Sequence, residues 1–574
     1  MRRTAGFTDR SSRPALILLA LVGIFLPHAL PAQGLDLLFP GDEAFDEMRF
    51  SAILEGRVPE TNAFPIFGEK PASGSASGSA FGLSLATPTF YYDSPAQSID
   101  DLAGNSDSDG APLPSPALPE LQRFAAEMPG PLELELEFGA GDYLSFRIDI
   151  PLTYRVDRFV GTGSTLSWDL EDWGGNLLGN MEFPRKSWVA LGRPGFGAAL
   201  GRFPAGMASG KFGGAILNPA ASWYDQARFS LGEDRVRFTW MLATSSAQLS
   251  AAESEVQFRR EADGTSFWDS QNDHDRAGGD EAVKLASWHQ FEWMPLDWLS
   301  LGFAESSMMG GRAPGLTFFL PAGIWHNTYA AGYSNVTAEL NFAMTPIKGL
   351  LLSGEYLVDD ARSGDEPATS KPAAGAWRLQ AEWDQAPSPG TRLEFGAEYG
   401  HADTWTYVRW QPYLSWYQRQ VLPGGRRGVD LPLGSPYGPD SDYLGLWAGY
   451  SDRQGRGAEL TYEFVVKGPI RMGMMTKQWI DTDGDGIDDE EAWIPIYYDY
   501  DLYAGEGALA AILARPDEIR HILSFDGRLP LGKGLTAVLK ASLGWYRNYG
   551  NVAGESETLF LLYAGLRWSP VGGK

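Results

Sequence analysis

The densest chemistry in the sequence is the run DTDGDGIDDEE. Asp481, Asp483 and Asp485 place carboxylates at alternate positions, Gly486 permits a tight turn, Ile487 offers a carbonyl, and Asp489 completes a ring of hard oxygen donors. Position twelve of the run is Ala492 and not Glu, so the spacing is closer to a thrombospondin type 3 calcium repeat than to an EF-hand. So much negative charge in one loop is unfavourable without a cation, and the expected ligand is Ca2+, stiffening the loop and not catalysing anything. Beside it runs AWIPIYYDYDLY, with Trp493 and Tyr497. The same mixture of aromatics and polar groups recurs from Trp325 to Tyr329 and from Trp410 to Tyr417, which includes Tyr413. Sugar rings offer apolar C–H faces to aromatics and hydroxyls to carboxylates and amides, so Trp325, Trp410, Tyr413, Trp493 and Tyr497 are candidate glycan contacts. The competing reading of any one of them is ordinary loop packing or an interfacial aromatic.

Signals for catalysis are weaker. Glu355 with Asp359 and Asp360, and Asp440 with Asp442, could pair as acid and base on a glycoside only at a defined separation, and an acidic rim or a salt-bridge network explains them as well. His274, His289, His326, His401 and His521 are scattered without metal-ligand spacing. No Gly-x-Ser-x-Gly supports a Ser–His hydrolase. The chain therefore reads as a non-enzyme.

The elements that must carry these loops are strands. In LELELEFGAGDYLSFRIDI, Leu132, Leu134, Leu136 and Phe138 share one face and Glu133, Glu135 and Glu137 the other. After Gly-Ala-Gly, Leu144, Phe146, Ile148 and Ile150 oppose Tyr143, Ser145, Arg147 and Asp149. The alternation recurs around residues 337–344, 350–359, 377–383, 393–399, 458–466 and 560–568. Strands of about 9 to 11 residues suit a tilted bilayer crossing. A polar face rich in Glu, Asp, Arg and Gln suits a wet lumen, where a pair such as Glu135 with Arg147 is structural. Aromatics at strand ends (Tyr356, Trp377, Trp383, Trp568) suit an interfacial girdle. Short turns at 193–196, 232–234, 295–297, 346–349, 386–390, 452–457 and 531–534 alternate with long polar segments at 204–221, 246–280, 310–335, 360–375, 411–441 and 468–518. Strand starts near 131, 142, 163, 186, 198, 222, 234, 281, 299, 336, 350, 376, 391, 442, 457, 519, 535 and 557 make an even tally of about 18. The expected fold is all-β, a transmembrane antiparallel β-barrel over 131–574 with both ends on the periplasmic side. A large secreted β-protein is the rival.

The segment before it differs. Arg2, Arg3, Arg10 and Arg13, the apolar run Ala15 to Leu26 and PHALPAQG read as a signal peptide, residues 1–32, cut after Ala32. The run is too short to span a bilayer as a helix, which needs about 20 residues. Residues 33–130 read as a periplasmic helical and flexible segment: Asp42 caps a helix ending at Gly56, and Pro119 opens a second with Leu121, Phe124, Ala125 and Met128 on one stripe. These helices are too short to stand alone and must dock, a plug under the barrel being one arrangement and a loose arm the other. The 574 residues carry 46 Lys plus Arg against 73 Asp plus Glu, a net charge of −27 that excludes nucleic acid as a partner. With 0 Cys, disulfides and zinc thiolates are excluded too.

The order of several stretches resembles the Wzi family of capsule-assembly outer-membrane barrels. They are ALGRFPAGMASGKFGGAILNPAASWYDQARFS (199–230), WHQFEWMPLDWLSLGFAES (288–306), FFLPAGIWHNTY (318–329), LLLSGEYLVDDAR (350–362), EFGAEYGHADTWTYVRWQPY (394–413) and LGSPYGPDSDYLGL (433–446). The resemblance implies an eighteen-strand barrel in the outer membrane of a Gram-negative-type envelope, in contact with its lipid, with a helical periplasmic plug, and lectin-like attachment of surface polysaccharide through outer loops. Gln290 and Met207 depart from the family, which often has Arg and an aromatic there. The alternative function is a diffusion porin whose acidic lumen favours cations.

Overall fold

The computed structural model describes residues 32–33, 43–59, 76–77, 80–86, 89–93, 132–140, 144–152, 164–165 and most of 186–568. The chief exceptions in that last span are 261–280, 326–333, 362–372, 422–427, 481–489 and 496–506. The segment read as a signal peptide, apart from Ala32, and the helix expected after Pro119 lie outside the described residues.

One antiparallel sheet dominates, and its strands pair in cyclic order. Its first strand, β1, is broken into Ala80–Ala86 and Thr89–Asp93. Then come β2 (Leu132–Ala140), β3 (Leu144–Leu152), β4 (Ser187–Arg193), β5 (Phe196–Phe203), β6 (Tyr224–Glu233), β7 (Val236–Thr244), β8 (Lys284–Leu296) and β9 (Leu299–Gly310). The far side is formed by β10 (Ser334–Ile347), β11 (Leu350–Asp360), β12 (Ala374–Gln385), β13 (Thr391–Ala402), β14 (Ser441–Asp452), β15 (Gly457–Lys467), β16 (Glu518–Gly532), β17 (Leu535–Arg547) and β18 (Ser556–Trp568).

The two pieces of β1 are one strand in register: β18 sets Phe560 opposite Asp93 and Ala564 opposite Thr89, then Arg567 opposite Ala86 and Trp568 opposite Leu85. On its other side β1 pairs with β2. The expected number of strands therefore holds, with one change of membership. The strand expected near 163 is only Ser164–Thr165, which pairs with Thr89–Asp93, and β3 pairs directly with β4. The eighteenth strand comes from the segment read as preceding the barrel, where Phe81, Leu83 and Leu85 alternate with Gly82 and Ser84 between a Gly/Ser-rich run and Pro88.

Side-chain alternation divides the environments. On β10, Leu340 points outward and is 62% exposed, while Thr337 and Glu339 point inward and are buried. Leu200, Phe291, Leu301, Phe303, Tyr356, Leu379, Phe395 and Leu460 repeat the outward pattern. Apolar outside and polar inside is the inverse of a water-soluble sandwich and is the arrangement of a barrel in lipid. The inward polar residues pair with each other: Arg237 with Glu292 at 2.5 Å, Arg520 with Glu518 at 2.5 Å, and Arg378 with Glu355. In β3, Arg147 pairs with Asp149 at 3.3 Å; its register partner is Glu137, and Glu135 stands opposite Asp149.

The tight turns gather at one end, against which helix α1 (Glu43–Glu55) docks, ending at Gly56 with φ +80°. Ile53 packs on Ala343 and Leu351, and its carbonyl accepts from the Gly349 N–H at 2.9 Å. Arg49 pairs with Glu382, and Glu47 with Arg392 at 3.0 Å. The helix that the sequence left between plug and loose arm is therefore seated on the barrel.

Candidate functional site

The connection from β5 to β6, expected as an outer loop, turns into the barrel and crosses it. The inward walls of β8, β11, β13 and β15 supply the groups that receive it. The Trp288 indole N–H donates to the Ile216 carbonyl at 3.0 Å, and Gln290 donates to the Met207 carbonyl at 2.9 Å. Glu355 accepts from the Ala215 N–H, and Glu398 from the Lys211 N–H at 2.7 Å. The Lys211 ammonium lies 2.6 Å from Glu459 and 3.5 Å from Glu394. Burial by itself would lower its pKa, but Glu394 and Glu459 more than offset that, so the value is raised and the group stays charged.

The tip of the crossing is Phe212. Its ring meets Trp447 edge-on at 5.8 Å and sits over Gly445, where an added Cβ would come within 2.2 Å of it. Both wall residues belong to β14, nine places from β5 in a cyclic order of eighteen, so the segment reaches the opposite wall. Gly213 makes the crossing narrow enough to pass Pro436, whose ring would be 2.5 Å from a Cβ at that position.

A second connection, from β13 to β14, closes over the first. The Tyr407 hydroxyl donates to the Ala215 carbonyl and accepts from the Ser435 N–H at 3.1 Å. Asn218 and Leu433 are joined by a backbone bond of 2.6 Å, and Trp416 packs on Trp288 at 5.8 Å. Asp359 fixes this connection to β11, accepting from the Tyr407 N–H at 2.6 Å and from Arg409 at 3.1 Å. Met207, Ile216, Leu217, Met241, Trp288, Tyr407, Trp416 and Leu433 thus form an apolar core inside the barrel, where an open pore would hold water.

The candidate site residues distribute unevenly on this frame. Trp325 is buried: its ring lies 4.3 Å from that of His289 and stacks on Phe318 at 6.3 Å, while His289 pairs with Glu305 at 3.0 Å. Tyr413 is buried, donating to the Ala247 carbonyl at 3.0 Å. Neither offers a ring face to the exterior, because both clamp loops onto the wall. Trp410, Tyr497 and the Asp481, Asp483, Asp485, Ile487 and Asp489 set lie outside the described residues, as do His274 and His326. Trp493 sits in a described strand, Glu490–Pro495, which pairs antiparallel with Met475–Ile480.

The acidic pairs serve as fasteners. Glu355 and Asp359 hold the two inward connections, and Asp440 accepts from Thr404 at 3.0 Å and from the Ile470 N–H at 3.0 Å. Asp442 meets His401 at 2.9 Å and the Tyr399 hydroxyl at 2.6 Å. Lys211, Phe212 and Arg378, which organise the lumen, were not singled out from sequence. The signal available was the GKFGG run, whose glycines mark close backbone approach.

No family model and no curated protein matches the chain. Among solved structures it is similar to Wzi of Escherichia coli, described as an outer-membrane protein of group 1 capsule assembly and a carbohydrate-binding β-barrel. The likeness has 12% identity and a TM-score of 0.48, over 92% of this chain and 98% of that one. It is also similar to the outer-membrane channel DcaP of Acinetobacter baumannii, with 10% identity and a TM-score of 0.31 over 88% and 99%. OprD, an outer-membrane protein of Pseudomonas aeruginosa, gives 10% identity and a TM-score of 0.36 over 86% and 94%. This chain's own strand pairings define its barrel.

Proposed function

We propose that this chain is a non-enzymatic outer-membrane barrel with an occluded lumen that retains surface polysaccharide at its outer rim. The observation that carries the reading is the crossing of the lumen by the β5–β6 connection, ending on β14. A diffusion porin needs a continuous water path, and an apolar core packed inside the barrel favours a protein whose work is done on its outer face. The polysaccharide is what the sequence resemblance implies. The rim chemistry that would meet it is the aromatic and acidic hairpin around Trp493 and Tyr497, together with Trp410, since Trp325 and Tyr413 are spent on packing. Calcium on Asp481, Asp483, Asp485, Ile487 and Asp489 would rigidify the hairpin tip, lowering the ordering cost of each contact. Several weak contacts along a repeating polymer then give retention by avidity.

The test is co-sedimentation of purified surface polysaccharide with liposomes carrying the chain. Retention that falls in a chain lacking residues 476–494, and falls in wild type when calcium is chelated, supports the reading. No retention by wild type, or retention indifferent to the deletion, refutes it.

A further inference from the structure

We infer that the inner wall of β12 and β13 holds a divalent cation, with calcium the best fit, beneath helix α1 and separate from the 481–489 loop. Glu382 and Asp384 lie two residues apart on the inward face of β12, and Glu394 stands directly across from Asp384 on β13. One carboxylate oxygen from each of the three falls within 4.8 Å of the others. Oxygens around one calcium at about 2.4 Å are at most about 4.8 Å apart, so the set is compact enough to share an ion.

The second observation is Asp384 itself. It is 2% exposed, yet neither of its carboxylate oxygens has a hydrogen-bond partner among the described residues. A buried carboxylate without a donor is costly, and a cation is the ligand that satisfies both oxygens. On Glu382 the donors Arg49 and Gln380 both use Oε2, which leaves Oε1 for an ion. The charges agree: Glu382, Asp384, Glu394 and Glu459 face Arg49 from α1 and Lys211 from the crossing segment, an excess of two negative charges. An ion here would tie α1, through the Arg49–Glu382 pair, to the wall that receives Lys211.

Trp447 provides the readout, because it stands opposite Gly396 on the inward face, beside Glu394. Full-length chain in detergent is titrated with terbium while tryptophan is excited, and its melting temperature is followed with calcium. Two classes of sensitised emission are expected, from the outer hairpin and from this pocket. Asp384→Asn should weaken the second class by about tenfold or more and reduce the calcium-dependent rise in melting temperature. Trp447→Phe should lower the same emission, Trp383 between Glu382 and Asp384 supplying the remainder, while keeping the calcium-dependent rise, which separates loss of a sensitiser from loss of fold. Emission and melting unchanged in both variants, or calcium bound only at the outer hairpin, would overturn the inference and leave protons as what neutralises these carboxyls.

Discussion

Gly445→Ala should loosen the crossing of the lumen. A Cβ at this position would lie 2.2 Å from a ring carbon of Phe212, whereas carbon–carbon contact is comfortable at about 3.5–4.0 Å. The ring must retreat by more than an ångström from a seat against Trp447 in which it is 9% exposed. Overpacking of this kind costs about 1–3 kcal/mol. At about 1.4 kcal/mol per tenfold, the population with the tip displaced rises by about 5- to 150-fold. Single-channel recording reads this directly, as the fraction of time an inserted barrel spends in conducting openings. Gly449→Ala is the control: it lies on the same strand and face, and its added Cβ would meet nothing closer than 3.6 Å. A larger open fraction in the first variant alone is expected. Equal behaviour of the two would show that Phe212 does not hold the lumen shut.

Other perturbations test the same account. Lys211→Met leaves Glu394 and Glu459 facing each other without the cation between them; the cost is about 2–3 kcal/mol, below the figure for a fully buried pair because both carboxylates are about a third exposed. It should raise the open fraction to a degree comparable with Gly445→Ala. Because the Lys211 pKa is raised above its unfolded value, its contribution is complete below the ordinary lysine range and lost only as pH climbs through the folded value. Wild-type channels should therefore gain no openings from this group between neutrality and about pH 10, and a rise near pH 8 would contradict the assignment. Arg49→Ala removes the partner of buried Glu382 and should release α1, seen as faster proteolysis before residue 60 with the barrel intact. Leu340→Arg on the outward face should cost about 2–4 kcal/mol if it sits near the bilayer midplane, measured by urea unfolding from lipid vesicles, and almost nothing if that face meets water.

The strand wall was legible because alternation is a local property. A side chain on β10 or β12 reports its own environment two residues at a time, and the short turns fixed which end of each hairpin was tight. The first strand was missed although Phe81, Leu83 and Leu85 alternate with Gly82 and Ser84, because the SGSASGSA run before it and Pro88 within it mark a flexible segment, and only β18 and β2 reveal where it belongs. The inward path of residues 204–221 was illegible for a different reason. Its length and glycines match those of the polar outer loops, although Met207, Phe212, Ile216 and Leu217 outnumber its polar side chains, and where it packs is set by partners such as Glu355, Glu398 and Gly445, far away in sequence. Trp325 and Tyr413 show the same limit from the other side: an aromatic suited to a sugar face is equally suited to a histidine ring or a loop clamp.

Planar-bilayer recording of the intact chain beside one in which residues 205–217 are replaced by a short Gly/Ser linker addresses the occluded lumen most directly. An occluded lumen gives insertion of the wild type without steady current, and stepwise, long-lived conductance in the replaced chain. A wild type that conducts steadily at the level of the replaced chain would contradict it.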